Sequence, residues 1–262
     1  MRLATWNITS IRARQSRLLS WLTKANPDVV CLQETKVEDS GFPLDPLKQL
    51  GYDVALWGQK SYNGVAIASR SPLIDVSRGF GDGEPDDEAR LISATIHGVR
   101  VVNVYVPNGQ ELGTDKYVHK LQWFRRLRRY LDRCAIPESG LVLCGDMNVA
   151  LDDRDVWSAA QWEGKIHCSP EERGALANVI AFGLVDLFRA HHPDGGQYSW
   201  WDYRGVSLFK NQGLRIDYIF ATAGLAEACT TCAIDREARK GQDASDHAPV
   251  VATWQNRTAS SD

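Results

Sequence analysis

The sequence lacks the features that mark membrane proteins and strongly basic nucleic-acid binders. No apolar run approaches the roughly 18 residues that a membrane-spanning helix needs, and the N-terminal residues contain no signal-peptide core. Lysine and arginine number 30 against 33 aspartates and glutamates, which gives a formal charge of −3 and no overall basic field. A polyanionic partner would have to be met by a local patch. We therefore expect a cytoplasmic protein with no membrane partner, and nucleic acid is not excluded.

Internal repeats, low-complexity segments and linkers are also missing, so nothing suggests a repeat protein or several domains. At 262 residues, 44% of them hydrophobic and 24% charged, the sequence is that of an ordinary globular protein. We expect a single domain over residues 1–255 and a polar C-terminal tail over residues 256–262. The Cys229-x-x-Cys232 pair has neither a second pair nor a nearby histidine, so we expect reduced core thiols rather than a zinc site.

Hydrophobic periodicity predicts more strands than helices, and the two do not alternate strictly. Amphipathic helices are predicted over residues 11–25 and 117–131, and a capping box with proline at the first helical position opens a third at Ser169-Pro170-Glu171-Glu172. Strands are predicted at residues 2–6, 29–32, 54–57, 65–69, 90–97, 100–106, 141–144, 197–201, 215–221 and 248–254.

The stretch from Leu141 to Asn148 is the most informative of these strands. Its four leading apolar residues predict burial on both faces, and it ends in a carboxylate and a carboxamide. If the extended geometry persists, Asp146 and Asn148 point to the same side of the sheet at the strand end, where α/β folds place their sites. Gly-Asp-x-Asn is also ordinary turn composition, which leaves a purely structural reading open.

Polar side chains follow other apolar runs in the same way. Asp217 stands between two apolar residues, where an unpaired carboxylate is costly to bury, and His247 is a natural partner for it. An aspartate on one ring nitrogen orients the imidazole and leaves the other nitrogen free as a base. Taken singly, each residue also has a structural reading, such as a surface Glu34 or a core Tyr105. The polar residues at strand ends are Asn7, Glu34, Tyr105, Asp146, Asn148, Asp217, Asp246 and His247.

The oxygen ligands in this set suit Mg²⁺ or Mn²⁺ better than zinc, and a magnesium site favours phosphoester chemistry. Hydrolysis of a phosphate ester needs a barrier reduction of about 20 kcal/mol, of which general-base help supplies only ~3–5 kcal/mol. The remainder must come from a metal and from fixed donors, for which Asn148 and Tyr105 are candidates.

Seven motifs occur in the order expected of the exonuclease III family of DNA-repair nucleases, which the sequence resembles from Met1 to about Trp254. The motifs are Thr5-Trp6-Asn7, Leu32-Gln33-Glu34-Thr35-Lys36, Tyr62-Asn63-Gly64-Val65-Ala66, Tyr105-Val106-Pro107-Asn108-Gly109, Gly145-Asp146-Met147-Asn148, Leu214-Arg215-Ile216-Asp217 and Ser245-Asp246-His247-Ala248-Pro249. The resemblance implies an α/β four-layer sandwich, with two mixed β-sheets packed face to face and helices on both outer sides.

The resemblance also implies a Mg²⁺-dependent DNA-repair phosphodiesterase, for which Mn²⁺ is expected to substitute. Such an enzyme is a 3′-5′ exodeoxyribonuclease that removes blocked 3′ termini and in many members incises abasic sites. Its expected partner is double-stranded DNA with 3′ ends, nicks or abasic sites. A monomer associated with the nucleoid is expected.

Roles follow from the resemblance position by position. Glu34 resembles the principal metal ligand, with Asn7 and Asp246 near it and with Asp146, Asn148 and His247 as further candidates. Asp146 would activate water or protonate the leaving oxygen, and Asn148 would hold the phosphate. Asp217 would orient His247, a base or phosphate ligand, while Tyr105 would contact the phosphate or the leaving group. The motifs leave open whether Asp146 or His247 is the base.

The segment from Tyr198 to Arg204 resembles the family's aromatic DNA-facing loop. Because strand neighbours face opposite ways, one tryptophan belongs to the core, and we place Trp200 on the DNA side with Arg204 and Asn108. His167 also occupies a loop that lies near the DNA in relatives. We expect its bulk to narrow the space for an abasic sugar and to favour 3′-end processing, with an ordinary surface histidine as the alternative.

A second departure from the family is Thr9, where members commonly carry asparagine, and this change is expected to weaken a hydrogen bond that supports Asn7. Two other functions stay open. A small-molecule phosphoesterase can share the fold, since fold alone does not choose substrate. A DNA-binding relative without chemistry would also match, although every expected catalytic position holds a competent residue.

Overall fold

The computed structural model of the chain describes residues 1–204 and 206–255. The predicted polar tail over residues 256–262 lies outside the described residues, and the single domain over residues 1–255 stays a prediction. Among the described residues, no helix is long and apolar enough to cross a membrane. The strands are β1 (Arg2–Asn7), β2 (Val29–Gln33), β3 (Asp53–Trp57), β4 (Val65–Ser69), β5 (Ile74–Arg78), β6 (Leu91–Ile96), β7 (Val99–Tyr105), β8 (Leu141–Asp146), β9 (Leu184–Asp186), β10 (Asp217–Thr222), β11 (Cys229–Ile234) and β12 (Val250–Trp254).

The helices begin and end where the sequence offers caps. Ser10 caps the first helix, which stops at Asn26 in a left-handed conformation, and Ser169 and Glu172 form the predicted capping box. The helices are α1 (Ile11–Ala25), α2 (Leu44–Gln49), α3 (Asp115–Cys134), α4 (Ala159–Trp162), α5 (Pro170–Ile180), α6 (Leu187–His191) and α7 (Ala223–Glu227).

The strands form two mixed six-stranded sheets, in the orders β11-β12-β1-β2-β4-β3 and β5-β6-β7-β8-β10-β9. Within each sheet one pair is parallel, β1 with β2 and β7 with β8, and the other pairs are antiparallel. One apolar core lies between the sheets and includes Leu3, Ile67, Val142 and Ile219. The predicted α/β four-layer sandwich is confirmed.

Each outer face of the sandwich is covered by helices with their own core. Helix α1 packs Leu18 and Leu22 against the sheet that holds β1, and α3 and α5 pack Leu127 and Leu176 against the other sheet. These contacts follow from the i, i+4 apolar spacing of the helices. The helical periodicity therefore predicted both the helices and the faces that they bury.

Two sequence interpretations need comment. The strand predicted over residues 197–201 is wrong, because this segment makes only isolated bridges from Trp200 to Leu214 and His247. The expectation of reduced core thiols is borne out: Cys229 and Cys232 are free, buried residues of β11. A register shift between Cys229 and Thr231 lets two positions three apart both face the core.

Candidate active site

The strand topology brings the polar strand ends to one edge of the sandwich. Parallel β7 and β8 end together, with Tyr105 opposite Asp146, and antiparallel β10 begins there, with Asp217 opposite Asp146. In the other sheet β1 and β2 end together at Asn7 and Gln33, one residue before Glu34. The two edges therefore face each other across the interface between the sheets.

A buried amide pair fixes the two sheets below this edge. The Gln33 Nε2 atom donates to Thr5 Oγ1 at 2.9 Å and to Asn103 Oδ1 at 2.6 Å, and Asn103 Nδ2 donates to the carbonyls of Leu32 and Ala66. Because Gln33 and Asn103 belong to different sheets, these bonds set the position of one strand edge relative to the other.

The end of β8 explains the Gly-Asp-x-Asn sequence. A Cβ atom on Gly145 would lie 1.9 Å from the Val104 carbonyl oxygen, so only glycine lets β8 approach β7 this closely. The extended geometry does not persist to Asn148, whose φ is 51° and whose N–H donates to Asp146 Oδ1 at 2.9 Å. The turn interpretation of this motif is therefore correct, and the turn also places Asp146 Oδ2 in the site.

Asn7 bridges two carboxylates. Its Nδ2 atom donates to Glu34 Oε1 at 2.8 Å and to Asp146 Oδ2 at 2.9 Å, while its Oδ1 atom accepts from the Thr9 backbone N–H at 3.1 Å. A backbone N–H can only donate, which fixes this amide orientation. Asn7 thus presents its nitrogen to the carboxylates, and its predicted role as a direct metal ligand stays a prediction.

Glu34, Asp146 and His247 each offer a ligand atom, and these atoms lie within 4.8 Å of one another. The two carboxylates suit a hard divalent cation such as Mg²⁺ or Mn²⁺. Lys36 Nζ lies 2.7 Å from Glu34 Oε2. Burial raises the pKa of Glu34, but the ammonium of Lys36 outweighs it and the net pKa is lowered, so Glu34 is ionised and ready to bind a cation.

Asp217 and His247 form the predicted pair. His247 Nδ1 donates to Asp217 Oδ2 at 2.8 Å, and Nε2 faces Asp146 Oδ2 at 3.8 Å. The Ser199 hydroxyl also donates to Asp217 Oδ2, at 2.6 Å, and accepts from the backbone N–H groups of Ile216 and Asp217. Ser199 therefore holds the carboxylate that orients the imidazole.

Burial and charge shift the pKa values of this group in informative directions. Burial lowers the pKa of His247, but Asp217 and Asp146 outweigh it and the net pKa is raised, so the ring is cationic at neutral pH. Burial, helped by the charge of Asp217, raises the pKa of Asp146 above its usual range despite the nearby imidazolium. The two groups thus have pKa values shifted from their ordinary ranges and face each other across 3.8 Å.

Tyr105 stays protonated in this environment. Burial and the charges of Glu34 and Asp146 raise the pKa of its hydroxyl well above the ordinary value. The Arg90 guanidinium lies 4.6 Å from the centre of the Tyr105 ring and fixes its orientation. Tyr105 is therefore a hydrogen-bond donor rather than a base.

Asp246 lies beside the Glu34, Asp146 and His247 group rather than within it. Its Oδ1 atom accepts from the Thr9 hydroxyl at 2.8 Å, and its Oδ2 atom accepts from Trp200 Nε1 at 3.0 Å. Burial raises the pKa of Asp246, but His247 and these hydrogen bonds give a net lowering. Thr9 also donates from its backbone to Asn7, so it supplies hydrogen bonds to both residues.

Asn108, Asn148 and His167 cluster on one side of the site. Asn108 Nδ2 donates to Asn148 Oδ1 at 3.2 Å, and His167 Nδ1 donates to the Asn148 carbonyl at 2.6 Å. His167 is only 7% exposed, so its interpretation as an ordinary surface histidine is wrong. Burial and the charge of Lys120 lower the pKa of His167 to about 4, which keeps the ring neutral at physiological pH.

The aromatic segment divides as predicted between core and surface. Trp201 is fully buried, while Trp200 is partly buried beside Leu214 and Ile216 and turns its indole N–H toward Asp246. Arg204 extends into solvent and pairs with Asp202 at 2.8 Å, outside the site. Its predicted DNA contact stays a prediction.

Sequence reasoning missed four residues that support the site: Lys36, Arg90, Ser199 and Lys120. Lys120 carried a signal, because it falls on the apolar face of α3, in phase with Tyr117, Phe124 and Leu127. A lysine at such a position is rarely left unpaired, and here it binds Glu172 in the interior.

Comparisons with known proteins agree with this geometry. The model of the endonuclease/exonuclease/phosphatase family matches residues 4–247. The chain is 34% identical over 266 residues to an exodeoxyribonuclease III from Haemophilus influenzae, with 97% of this chain and all of that protein covered.

The folds of two solved structures are closely similar to that of this chain. An AP endonuclease from Archaeoglobus fulgidus superposes with a TM-score of 0.95 at 41% identity, covering 97% of this chain and 99% of that one. A 3′ phosphatase, NExo, from Neisseria, bound to a product DNA hairpin, superposes with a TM-score of 0.94 at 40% identity and the same coverage. The similarity thus extends over nearly the whole length of each protein.

Proposed function

We propose how the site works from one premise: the chain belongs to the endonuclease/exonuclease/phosphatase family and is a metal-dependent DNA-repair phosphodiester hydrolase. Our proposal is that it uses Mg²⁺, with Mn²⁺ as a substitute, to trim and clean 3′ ends of double-stranded DNA. The DNA-bound 3′ phosphatase among its structural relatives supports this substrate. The observation that carries the proposal is the convergence of Glu34, Asp146 and the Asp217–His247 pair.

The chemistry divides between a cation and the protein's own donors. Glu34 would hold the cation beside Asp146, and the cation would supply charge stabilisation to the reacting phosphate. Neutral Tyr105 and the second N–H of the Asn148 amide, whose first N–H donates to the Val106 carbonyl, would donate hydrogen bonds to phosphate oxygens. Asn7 holds the two carboxylates at a fixed separation, so little reorganisation is needed during the reaction.

The pKa directions favour Asp146 as the base. A cationic His247 has no free lone pair to accept a proton, whereas it can donate from Nε2 to a phosphate oxygen. Asp146, with its raised pKa, accepts a proton from water more readily than an ordinary aspartate does. Asp217 keeps His247 charged and correctly oriented.

His167 supports a preference for 3′ ends. It is buried between Asn148 and Trp162, and Trp162 in turn packs against the apolar cluster that includes Leu214 and Ile216. An extruded abasic sugar needs a pocket of this kind, lined by aromatic and apolar side chains. We therefore propose that 3′-end processing dominates over abasic-site incision.

The relatives reported above carry nuclease and 3′ phosphatase names, and none of those reported is a phosphatase of small molecules. The competent residues at each catalytic position argue against a DNA-binding protein without chemistry. A monomeric state and a cytoplasmic, nucleoid-associated location stay predictions.

A gel assay with labelled duplexes tests the proposal. Duplexes with a 3′ phosphate, a recessed 3′ hydroxyl or an internal abasic analogue are incubated with Mg²⁺, with Mn²⁺ or with EDTA. We expect rapid removal of the 3′ phosphate and of 3′ nucleotides, slow abasic incision, and no product in EDTA. An Asp146→Asn variant is the control for contaminating nucleases. Cleavage that survives EDTA, or equal rates on all three duplexes, would contradict the proposal.

A further inference from the structure

A lysine and a glutamate are fully buried behind the site as an ion pair. Lys120 of α3 and Glu172 of α5 have no exposed side-chain surface, and Lys120 Nζ donates to Glu172 Oε1. The other two ammonium hydrogens go to backbone carbonyls, to Asn148 at 2.7 Å and to Asn108 at 3.1 Å. All three donors of the lysine are therefore used inside the protein.

Glu172 extends the same network to a third loop. Its Oε1 atom accepts from the His167 backbone N–H at 3.1 Å, and its Oε2 atom accepts from the N–H and hydroxyl of Ser169. The pair thus binds the backbones of Asn108, Asn148 and His167 together. These three residues are hydrogen-bonded to one another on one side of the site, and the His167 ring lies near Trp162.

Two of these backbones are held in a conformation that costs free energy. Asn148 has a φ of 51° and His167 a φ of 74°, in the left-handed region that favours glycine. Such conformations persist only where surrounding contacts impose them. Lys120 donates to the Asn148 carbonyl and Glu172 accepts from the His167 backbone N–H, so the ion pair supplies one such contact at each strained position.

The energetics of buried ion pairs indicate that this pair does more than stabilise the fold. A buried ion pair contributes little net stability, because desolvation offsets the attraction between the charges, and apolar replacements are often as stable. Burial lowers the pKa of Lys120, which shows the cost of holding the charge here. What an apolar pair would lack is the set of donors and acceptors that fix the three loops.

We propose that Lys120 and Glu172 are positioning residues that hold Asn108, Asn148 and His167 in register with the reacting phosphate. This inference rests on the proposed function and deepens it. Without the pair, the Asn148 amide loses its fixed relation to the phosphate, and His167 is no longer held between Asn148 and Trp162. Loss of the pair should therefore slow 3′-end processing and relax the discrimination against abasic sites together.

The test compares Lys120→Met and Glu172→Gln with the double variant, in which neither buried group is charged. We expect each variant to lower kcat on the 3′ phosphate by about 10- to 100-fold, with a smaller change in KM, as displaced catalytic groups do. The ratio of abasic incision to 3′-phosphate removal should rise in each. In the double variant the Tm should recover toward that of the wild type while kcat stays low.

An NMR measurement and a control variant distinguish a positioning role from a general loss of stability. The ¹⁵N chemical shifts of the His167 ring report its hydrogen bond to the Asn148 carbonyl, and they should change in Lys120→Met even if the protein is fully folded. Arg126→Gln is the matched control, because Arg126 lies on the same helix and pairs with Asp82 instead. It should leave the substrate ratio unchanged.

The outcomes distinguish failure of the positioning role from failure of the proposed function. A double variant that recovers both Tm and kcat, or an unchanged substrate ratio with unchanged ¹⁵N shifts, would overturn the positioning role. A wild-type protein without activity on any 3′ end would overturn the proposed function itself.

Discussion

Replacing His167 with glycine separates steric selection from catalysis. At a φ of 74°, a residue with a Cβ atom is destabilised by about 1–2 kcal/mol, and glycine avoids this strain. Against this gain stand the loss of one buried hydrogen bond, about 1 kcal/mol, the flexibility of glycine in the unfolded chain, about 0.5–1 kcal/mol, and the lost packing of a buried ring, about 2–3 kcal/mol. The Asn148 carbonyl keeps its bond from Lys120 and is not left unpaired.

The losses exceed the gain, so we expect the free energy of unfolding of His167→Gly to be about 2–3 kcal/mol lower than that of the wild type. Its Tm should be lower by about 5–10 °C, by differential scanning fluorimetry, and the protein should still be folded in the assay. Removing the imidazole opens space between Asn148 and Trp162. Relief of one steric block is worth about 1–3 kcal/mol, or roughly 10- to 200-fold in selectivity.

The assay measures single-turnover rates on the duplex with an internal abasic analogue and on the duplex with a 3′ phosphate. We expect the ratio of these rates to rise at least about tenfold in His167→Gly, mainly through faster abasic incision. His192→Ala is the matched control, because His192 also bonds a backbone carbonyl, that of Cys232, away from the site. A folded His167→Gly protein with an unchanged ratio would refute the steric argument.

Three other changes have expected outcomes. Asp217→Asn should lower kcat by about 10²- to 10⁴-fold, since His247 loses the carboxylate that orients and charges it; near wild-type kcat with an intact fold would contradict this role. Thr9→Asn should keep a side-chain donor to Asp246 and relieve part of the strain at φ 48°, so thermal unfolding should show an equal or higher Tm, and a lower one would be unexpected. Hydrogen bonding to Arg126 lowers the pKa of Asp82 to about 2, so the pair stabilises the fold above pH 4 and this contribution is lost as pH falls toward 2. Asp82→Asn should therefore cost about 1 kcal/mol at pH 7, after solvent screening, and little at pH 2 by urea titration, and an equal loss at both would exclude the ion pair.

The sequence predicted the parts of the fold whose burial follows a simple period. Helices α1 and α3 and the strands of both sheet interiors were predictable, because one face or both faces are apolar. Strand β5 was not, since Ile74 and Val76 point to solvent at a sheet edge. Strand β11 was not predicted, because its register shift breaks the alternation of buried and exposed residues that marks a strand.

The candidate site was predictable as a set of residues but not as a set of contacts. The polar residues were predicted from their positions at strand ends. The cost of burying the Asp217 carboxylate predicted His247 as its partner, and His247 Nδ1 lies 2.8 Å from Asp217 Oδ2. The amide orientation of Asn7 depends on the backbone N–H of Thr9, and no sequence pattern reports it. The position of the Asp246 carboxylate likewise depends on a hydrogen bond from Trp200, which lies in an irregular segment.

The position of β1 between β2 and β12 has a consequence for synthesis of the protein in the cell. Strand β1 is made first and β12 last, yet the two pair directly, with Thr5 opposite Val250. Asn7 and His247 therefore meet only when β12 has left the ribosome and paired with β1. Pairings this distant in sequence form slowly, so a nascent chain that has already exposed Glu34 and Asp146 is not yet a competent nuclease. The site that cleaves DNA is assembled only after β12 has been made.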